Sequence, residues 1–244
     1  MVHARYLEGD AAVSRMSVRV AAFALLAGFG ILSAGTAGAA SPIDSASEAA
    51  DELEDRNSAI ERVVSQAPRT EEGGHDLYRR GLYPEAMQVW EEAADAGDAG
   101  AAYMIGATYM DGQAVLHDFD KAHEWLERAA AMGDARAMGD LGGAYDWGIG
   151  VEADRKTAAE WYLKGAERGH AASQYNAGVF LEEGEVVEQD LVRAYMYYTL
   201  ADRNGFPKYP AEAIEALTPK LTNDQLKQAI DAARAFEPVT DEKL

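Results

Sequence analysis

The chain has 244 residues, a formal net charge of −20 and no cysteine. This length suits one elongated domain, and the lack of cysteine means that the fold uses no disulfide. So acidic a surface does not bind nucleic acid by neutralising phosphates, and anionic lipid surfaces repel it. The charge favours basic partners or divalent cations, with solubility alone as the alternative explanation.

The first forty residues differ in composition from the rest. Arg15 and Arg19 precede a run from Val20 to Ala40 that contains no charged residue and finishes in small residues. We therefore predict a signal peptide over residues 1–39, with cleavage near Ala39, and a periplasmic or secreted protein that is free of the membrane after cleavage.

Two alternatives remain open for this segment. The uncharged run approaches the ~20 residues that a membrane span needs, so a retained inner-membrane anchor is the second interpretation. Met16 is an alternative start of the chain, because acidic residues before it are unusual in a signal peptide.

Residues 40–74 form a polar, acidic linker. Apolar residues such as Leu53, Ile60 and Val64 predict a weak helix between Ser47 and Ser65. We expect a flexible joint from Gln66 to Gly74. A disordered spacer throughout is the simpler alternative.

Residues 98–206 repeat with a period of 36. Several columns share one residue type at this spacing: Gly97, Gly133, Gly169 and Gly205; Gly106, Gly142 and Gly178; Gly112, Gly148 and Gly184; Asp118, Asp154 and Asp190; Trp125, Trp161 and Tyr197. A fixed period of this length indicates stacked supersecondary units.

The middle unit, Asp134–Gly169, shows what one repeat contains. Apolar residues at helical spacing predict a first helix, within which Gly142 would allow close approach of a neighbour, since glycine otherwise costs a helix about 1 kcal/mol. A glycine-rich turn follows, and Asp154 stands where a second helix needs its N-cap. Gly169 is placed to end that helix in a left-handed conformation. Such a helix–turn–helix unit must stack on its neighbours to bury its apolar side.

The units at both ends of the array are atypical. Residues 75–97 predict a shortened first repeat, with Pro84 near the start of its second helix. Residues 207–244 predict a C-terminal cap and tail, in which Thr222 and Gln225 form a capping box for a last helix. The stacked repeats therefore occupy residues 75–206.

The pattern of the middle unit resembles the Sel1-like repeat, a relative of the tetratricopeptide repeat. The residues that carry the resemblance are Leu141, Gly142, Tyr145, Gly148, Gly150, Val151, Asp154, Ala158, Trp161 and Tyr162. The resemblance implies an all-α fold, a right-handed α-solenoid that binds proteins, and it provides no catalytic residue to carry over.

The sequence offers little chemistry beyond this. His117 and His123 are the only metal-like cluster, and Asp118 between them is already explained as a helix cap, so we predict no metal site. We find no phosphate-binding loop and no cofactor signature. The recurring aromatic columns are predicted to be core.

Function in such a stack is expected where the columns disagree. We predict that the first helix of each unit lines a concave face that binds a partner helix or peptide carrying apolar and basic residues. The candidate site residues are Tyr103, Met110, Asp111, Arg136, Asp146, Trp147, Tyr175, Glu182 and Glu183.

The leading hypothesis is a non-catalytic adaptor or regulator, with a membrane sensor as one conceivable partner by family analogy. The alternatives are an enzyme that acts on cell-wall material through an acidic groove and a purely structural envelope component.

Overall fold

The computed structural model describes residues 42–240, and this part of the chain is helical with no strand. The predicted signal peptide lies outside the described residues. The helices are α1 Pro42–Gln66, α2 Glu71–Arg79, α3 Tyr83–Asp95, α4 Ala99–Asp111, α5 Phe119–Ala131, α6 Ala135–Trp147, α7 Arg155–Glu167, α8 Ala171–Glu183, α9 Leu191–Arg203, α10 Tyr209–Leu217 and α11 Asn223–Ala235, with a 3-10 helix at Thr218–Lys220.

The chain divides into two compact units after Leu53, which lies within α1. The helix predicted between Ser47 and Ser65 is longer than expected, because α1 runs from Pro42 to Gln66. The second unit contains the stacked repeats. No helix between residues 42 and 240 combines the length and the apolar character that crossing a bilayer requires.

The repeated residues have the local roles that their columns predict. Asp118, Asp154 and Asp190 each precede a helix, and each carboxylate accepts backbone N–H groups of the first turn. These groups would otherwise lack a partner inside the helix. Gly148 ends α6 in the left-handed region at φ 68°, a conformation that glycine adopts without steric cost.

The glycine column inside the first helices marks the closest helix contacts. A Cβ placed on Gly142 would lie 2.6 Å from the ring of Tyr162, and one on Gly178 would lie 2.6 Å from the ring of Tyr198. Both rings are buried. The glycines therefore let the second helix of a repeat press its aromatic residue against the first, as the sequence predicted.

The shortened repeat contains the same contact in a different register. Trp90 is fully buried and lies against Gly74, and its Nε1 donates to the carbonyl oxygen of Glu71 at 2.9 Å. The glycine precedes its aromatic partner by 16 positions here and by 20 in the later repeats (90 − 74 against 162 − 142). The first repeat is thus four residues shorter between the two contact positions.

This register changes the expected start of the stack. Thr70 caps α2 by accepting the amide of Gly73, and Gly73 and Gly74 are buried within that helix. The predicted flexible joint therefore does not extend to Gly74, because these two glycines are part of the packing and the first repeat begins at Glu71.

The C-terminal segment packs against the last repeat through two helices. The capping box of Thr222 and Gln225 is present at the start of α11, and Leu217, Ala229 and Ala233 are buried. Beyond α11 the chain turns back, so that the amide of Val239 donates to the carbonyl oxygen of Glu167 at 2.9 Å. The predicted cap thus covers the apolar side of α9.

Candidate functional site

The first helices of the three full repeats, α4, α6 and α8, share one side that the second helices do not cover. We call this side the A-helix face. All nine predicted site residues lie on these three helices, and none of them is buried. Their surroundings differ, and these surroundings decide which of them are available to a partner.

A charged network crosses the N-terminal ends of the first helices. The Arg136 guanidinium donates to Glu71 at 2.6 Å and to Asp134 at 2.6 Å. It thus links α6 to α2 across α4, where Gly100 has no side chain, and a Cβ there would collide with Glu71. Burial acts to lower the pKa of Arg136, but the hydrogen bonds that it donates to Asp134 and Glu71 outweigh this effect and raise that pKa.

Tyr103 lies beneath the same guanidinium, whose Cζ is 4.3 Å from the ring centroid. Burial raises the pKa of Tyr103, and the nearby Asp140 carboxylate raises it further. The Tyr103 hydroxyl therefore stays protonated at neutral pH and lies near the Asp140 carboxylate. Tyr103 is fixed between a cation and a carboxylate.

Asp140 is a residue of this face that the sequence analysis did not select. Its side chain is exposed although the neighbouring helices surround it. Desolvation by these helices raises the pKa of Asp140 to about 6, which the Tyr103 hydrogen bond opposes. The Asp140 side chain makes no ion pair within 4 Å in the described part of the chain.

A pocket of about 580 Å³ lies beside the Arg136 network. Its wall includes Glu72, His75 and Met104, together with Arg136. The pocket is open to solvent, so it suits a protruding side chain of a partner better than a small molecule, which would need an enclosed site.

Arg155 neutralises the acidic residues near the other end of α6. Its guanidinium lies 3.7 Å from Asp146, 2.6 Å from Glu183 and 2.7 Å from Glu185. Burial raises the pKa of Asp146, which Arg155 opposes. Asp146 and Glu183, both predicted site residues, are thus already paired with Arg155.

The C-terminal cap covers two further predicted residues. The Tyr175 ring is stacked on Phe206 with the centroids 5.2 Å apart, and the Tyr209 centroid lies 6.0 Å away. Glu182 accepts from the Tyr198 hydroxyl at 2.9 Å and from Lys220 at 2.7 Å. Tyr175 and Glu182 therefore contribute to packing of the last repeat.

The remaining predicted residues differ in exposure. Met110 is half-buried against the core, and Asp111 is exposed, with a hydrogen bond from Gln113 at 3.2 Å. Trp147 is 46% exposed and Ile149 beside it 41%. Trp147 is the last residue of α6, so it lies at the turn and not in the middle of the A-helix face.

No group of side chains between residues 51 and 240 is suited to hold a metal ion. His117 packs its ring over Gly112 and lies 5.7 Å from the Phe119 ring. His123 lies against Gly150 of the next turn. The two histidines thus have separate packing contacts.

Three consecutive stretches of the chain match the Sel1 repeat, namely residues 99–134, 135–170 and 171–205. The chain carries three Sel1 repeats. Their boundaries coincide with the starts of α4, α6 and α8, so each Sel1 repeat begins with the helix that contributes to the A-helix face. No curated protein sequence is significantly similar to the chain.

The chain is similar to solved structures of Sel1 repeat proteins. A Sel1 repeat protein from Oxalobacter formigenes is 27% identical, with a TM-score of 0.55, over 68% of this chain and 72% of that one. A protective antigen of uropathogenic Escherichia coli with an SLR fold is 24% identical with a TM-score of 0.42, and the match spans 44% of that antigen. The fold is an α-solenoid of Sel1 repeats, which generally mediate protein–protein interaction.

Proposed function

We propose that this chain is an exported, non-catalytic interaction module that binds a peptide or helix of a partner protein on its A-helix face, the predicted concave side. The observation that carries the proposal is Asp140. It is an exposed carboxylate without an ion pair in the described residues, and it lies in the middle of α6 near the Tyr103 hydroxyl.

The charge of the face indicates the chemistry of the partner. Arg136 and Arg155 are already bound by carboxylates of the chain, so the negative charge of Asp140 and Asp111 is left to attract a lysine or arginine. Met104 and Met110 on α4 are half-buried, and flexible thioether side chains adapt to the apolar residues of a partner. A segment with alternating apolar and basic residues fits this arrangement.

The location follows from the N-terminal composition. The uncharged run after Arg19 supports export, and an exported module would meet its partner in the periplasm or outside the cell. Regulation of a membrane sensor is the specific form of adaptor function that we favour within this proposal.

Site-specific photo-crosslinking in the native host tests this function. A probe replacing Met104 should give a discrete protein adduct, whereas a probe replacing exposed Lys227 on α11 should give none. Asp140→Lys should abolish the adduct at 104, because it replaces attraction of a basic partner with repulsion. An adduct that survives Asp140→Lys, or equal adducts at both positions, would contradict binding on the A-helix face.

A further inference from the structure

Two neighbouring turns expose large apolar side chains to water. Leu116 is 90% exposed and Phe119 39%, at the turn between α4 and α5. Trp147 is 46% exposed and Ile149 41%, at the turn between α6 and α7. We call these four residues the turn-edge surface.

The two turns are in contact. A Cβ on Gly150 would lie 2.5 Å from the Cβ of Phe119 and 3.4 Å from the His123 ring. The backbone next to Ile149 therefore rests directly on the start of α5. This contact places Phe119 of the first turn beside the backbone that carries Ile149 in the second.

Backbone hydrogen bonds hold both turns in place. The amide of Asp118 donates to the carbonyl oxygen of Tyr109 at 3.3 Å, and that of Asp154 donates to Tyr145 at 2.8 Å. Both aspartates also cap the helix that follows. The apolar side chains thus project from a fixed backbone, and a partner would not have to order these turns on binding.

Exposed carboxylates surround the turn-edge surface. Asp120 follows Phe119, and Glu152 and Asp154 follow Gly150. None of these three carboxylates makes an ion pair within the described residues, and Arg155 is engaged with Glu183 and Glu185. Lys121 beside them is paired with Asp118 and Lys156 is also exposed, so the border is acidic on balance. Exposed apolar residues with polar residues around them are typical of an interaction site.

The charge also separates the candidate occupants. The chain carries a net charge of −20, and these carboxylates would face their own copies if two chains met here. Like charges at an interface oppose association. A second copy is therefore disfavoured, and a basic partner is favoured.

We propose that the turn-edge surface is a second docking site, separate from the A-helix face, for an amphipathic segment of a partner protein whose apolar residues are flanked by lysine or arginine. The apolar residues of the segment cover Leu116, Phe119 and Ile149, while its basic residues pair with Asp120 and Glu152. The solenoid would then have two contact areas for one partner or for two.

Peptide binding to the full chain tests this site. The probe is a labelled helical peptide of about 15 residues, with leucine along one side and lysine elsewhere. Its binding is measured by fluorescence anisotropy at about 100 mM salt, where exposed charges still interact. The combined variant Leu116→Ser and Ile149→Ser should weaken binding about tenfold. The matched control is Val239→Ser, which changes an exposed apolar residue outside the turn-edge surface and should alter binding less than about twofold.

Failure of the lysine peptide to bind would contradict docking at the turn-edge surface, and so would any of three further results. A peptide with glutamate in place of every lysine should not bind, and equal binding would remove the role of the carboxylates. If Asp140→Asn weakened peptide binding and the double variant did not, the peptide would bind at the A-helix face instead. Dimerisation in sedimentation velocity that the double variant abolishes would identify a second copy as the occupant. Failure of the lysine peptide to bind leaves the proposal for the A-helix face intact, because that proposal is tested by photo-crosslinking from position 104.

Discussion

Tyr103 and Tyr175 occupy the same position of the repeat, two periods apart, and have different surroundings. Tyr103 lies under the Arg136 guanidinium and near the Asp140 carboxylate, beside a charged network that is partly open to water. Tyr175 stacks on Phe206 and approaches Tyr209, in an aromatic cluster that the C-terminal cap closes. The repeat fixes the position of each ring, and the next element along the stack decides its role.

The difference explains which half of the A-helix face is open to a partner. After Tyr103 the next first helix is α6, whose Arg136 leaves Asp140 exposed. After Tyr175 the next element is α10, followed by the 3-10 helix whose Lys220 binds Glu182. The cap thus engages Tyr175 and Glu182 of the last repeat, whereas Asp140 in the middle of the stack stays exposed.

The largest effect is expected where the two tyrosine junctions are alike, in the glycine column. Gly142→Val places methyl groups against the Tyr162 ring, where a Cβ alone would lie 2.6 Å away. Overpacking of this kind costs about 1–3 kcal/mol or more, and in a stack it separates two helices that neighbouring repeats need. We expect a large drop in the melting temperature by circular dichroism.

Gly143→Ala is the matched control, since its Cβ would meet only the Tyr162 hydroxyl at 3.6 Å. Alanine is favoured in helices over glycine by about 1 kcal/mol, so this variant should melt at or above the wild-type temperature. Equal losses for the two variants would show that the glycine column does not reflect close packing.

The second-largest effect tests the difference between the surroundings of Tyr103 and Tyr175 directly. Tyr175→Ala removes a ring from the aromatic cluster and should destabilise the protein by about 2–3 kcal/mol, because the ring is partly buried among other rings. Tyr103→Ala removes a cation–π contact and a half-buried ring that packs against the core but belongs to no aromatic cluster, and should cost about 1–2 kcal/mol. Denaturant unfolding measures both, and a greater loss for Tyr103→Ala would reverse the assignment of the two junctions.

A smaller effect is expected from the ion pair that crosses α4. The Glu71 and Arg136 side chains are 36% and 39% exposed, so water screens their attraction, and their coupling should stay below about 1 kcal/mol. A double-mutant cycle of Glu71→Gln and Arg136→Gln measures this coupling, which should decrease at high salt. A coupling that does not change with salt would mean that the pair is shielded from solvent.

The smallest effect concerns pH, with opposite signs at two residues. Burial lowers the pKa of His170 and the Arg136 charge lowers it further, while Asp134 opposes the shift. The unfolded chain then binds more protons than the folded one below about pH 6.5, the ordinary pKa of histidine. His170 therefore favours folding above pH 6.5 and loses this contribution as the pH falls through its lowered pKa.

The raised pKa of Asp140 changes stability with pH in the opposite direction. Its pKa is raised to about 6, so the folded chain binds more protons between about pH 4 and 6, and stability from this group decreases as the pH rises through that range. Melting curves at several pH values should show that His170→Gln and Asp140→Asn change the slope with opposite signs. Slopes that change in the same direction would contradict one of the two pKa directions.

The sequence by itself determined the fold. The period of 36, the N-cap column of Asp118, Asp154 and Asp190, and the glycine columns predicted the stack of helix pairs, and the structure confirms these roles. These features are local or recur at fixed spacing, because each repeat must solve the same packing problem against its neighbour. The capping box of the last helix could be predicted for the same reason.

Only the tertiary structure decided which site residues remain available. The pairing of Arg136 with Glu71 joins residues 65 positions apart, and the four-residue change of register in the first repeat brings Gly74 against Trp90. No local pattern contains either contact, nor the coverage of Tyr175 by the cap. Burial and charge pairing depend on neighbours that are distant in the chain, so the sequence located the A-helix face, whereas three-dimensional packing made Asp140 its open carboxylate.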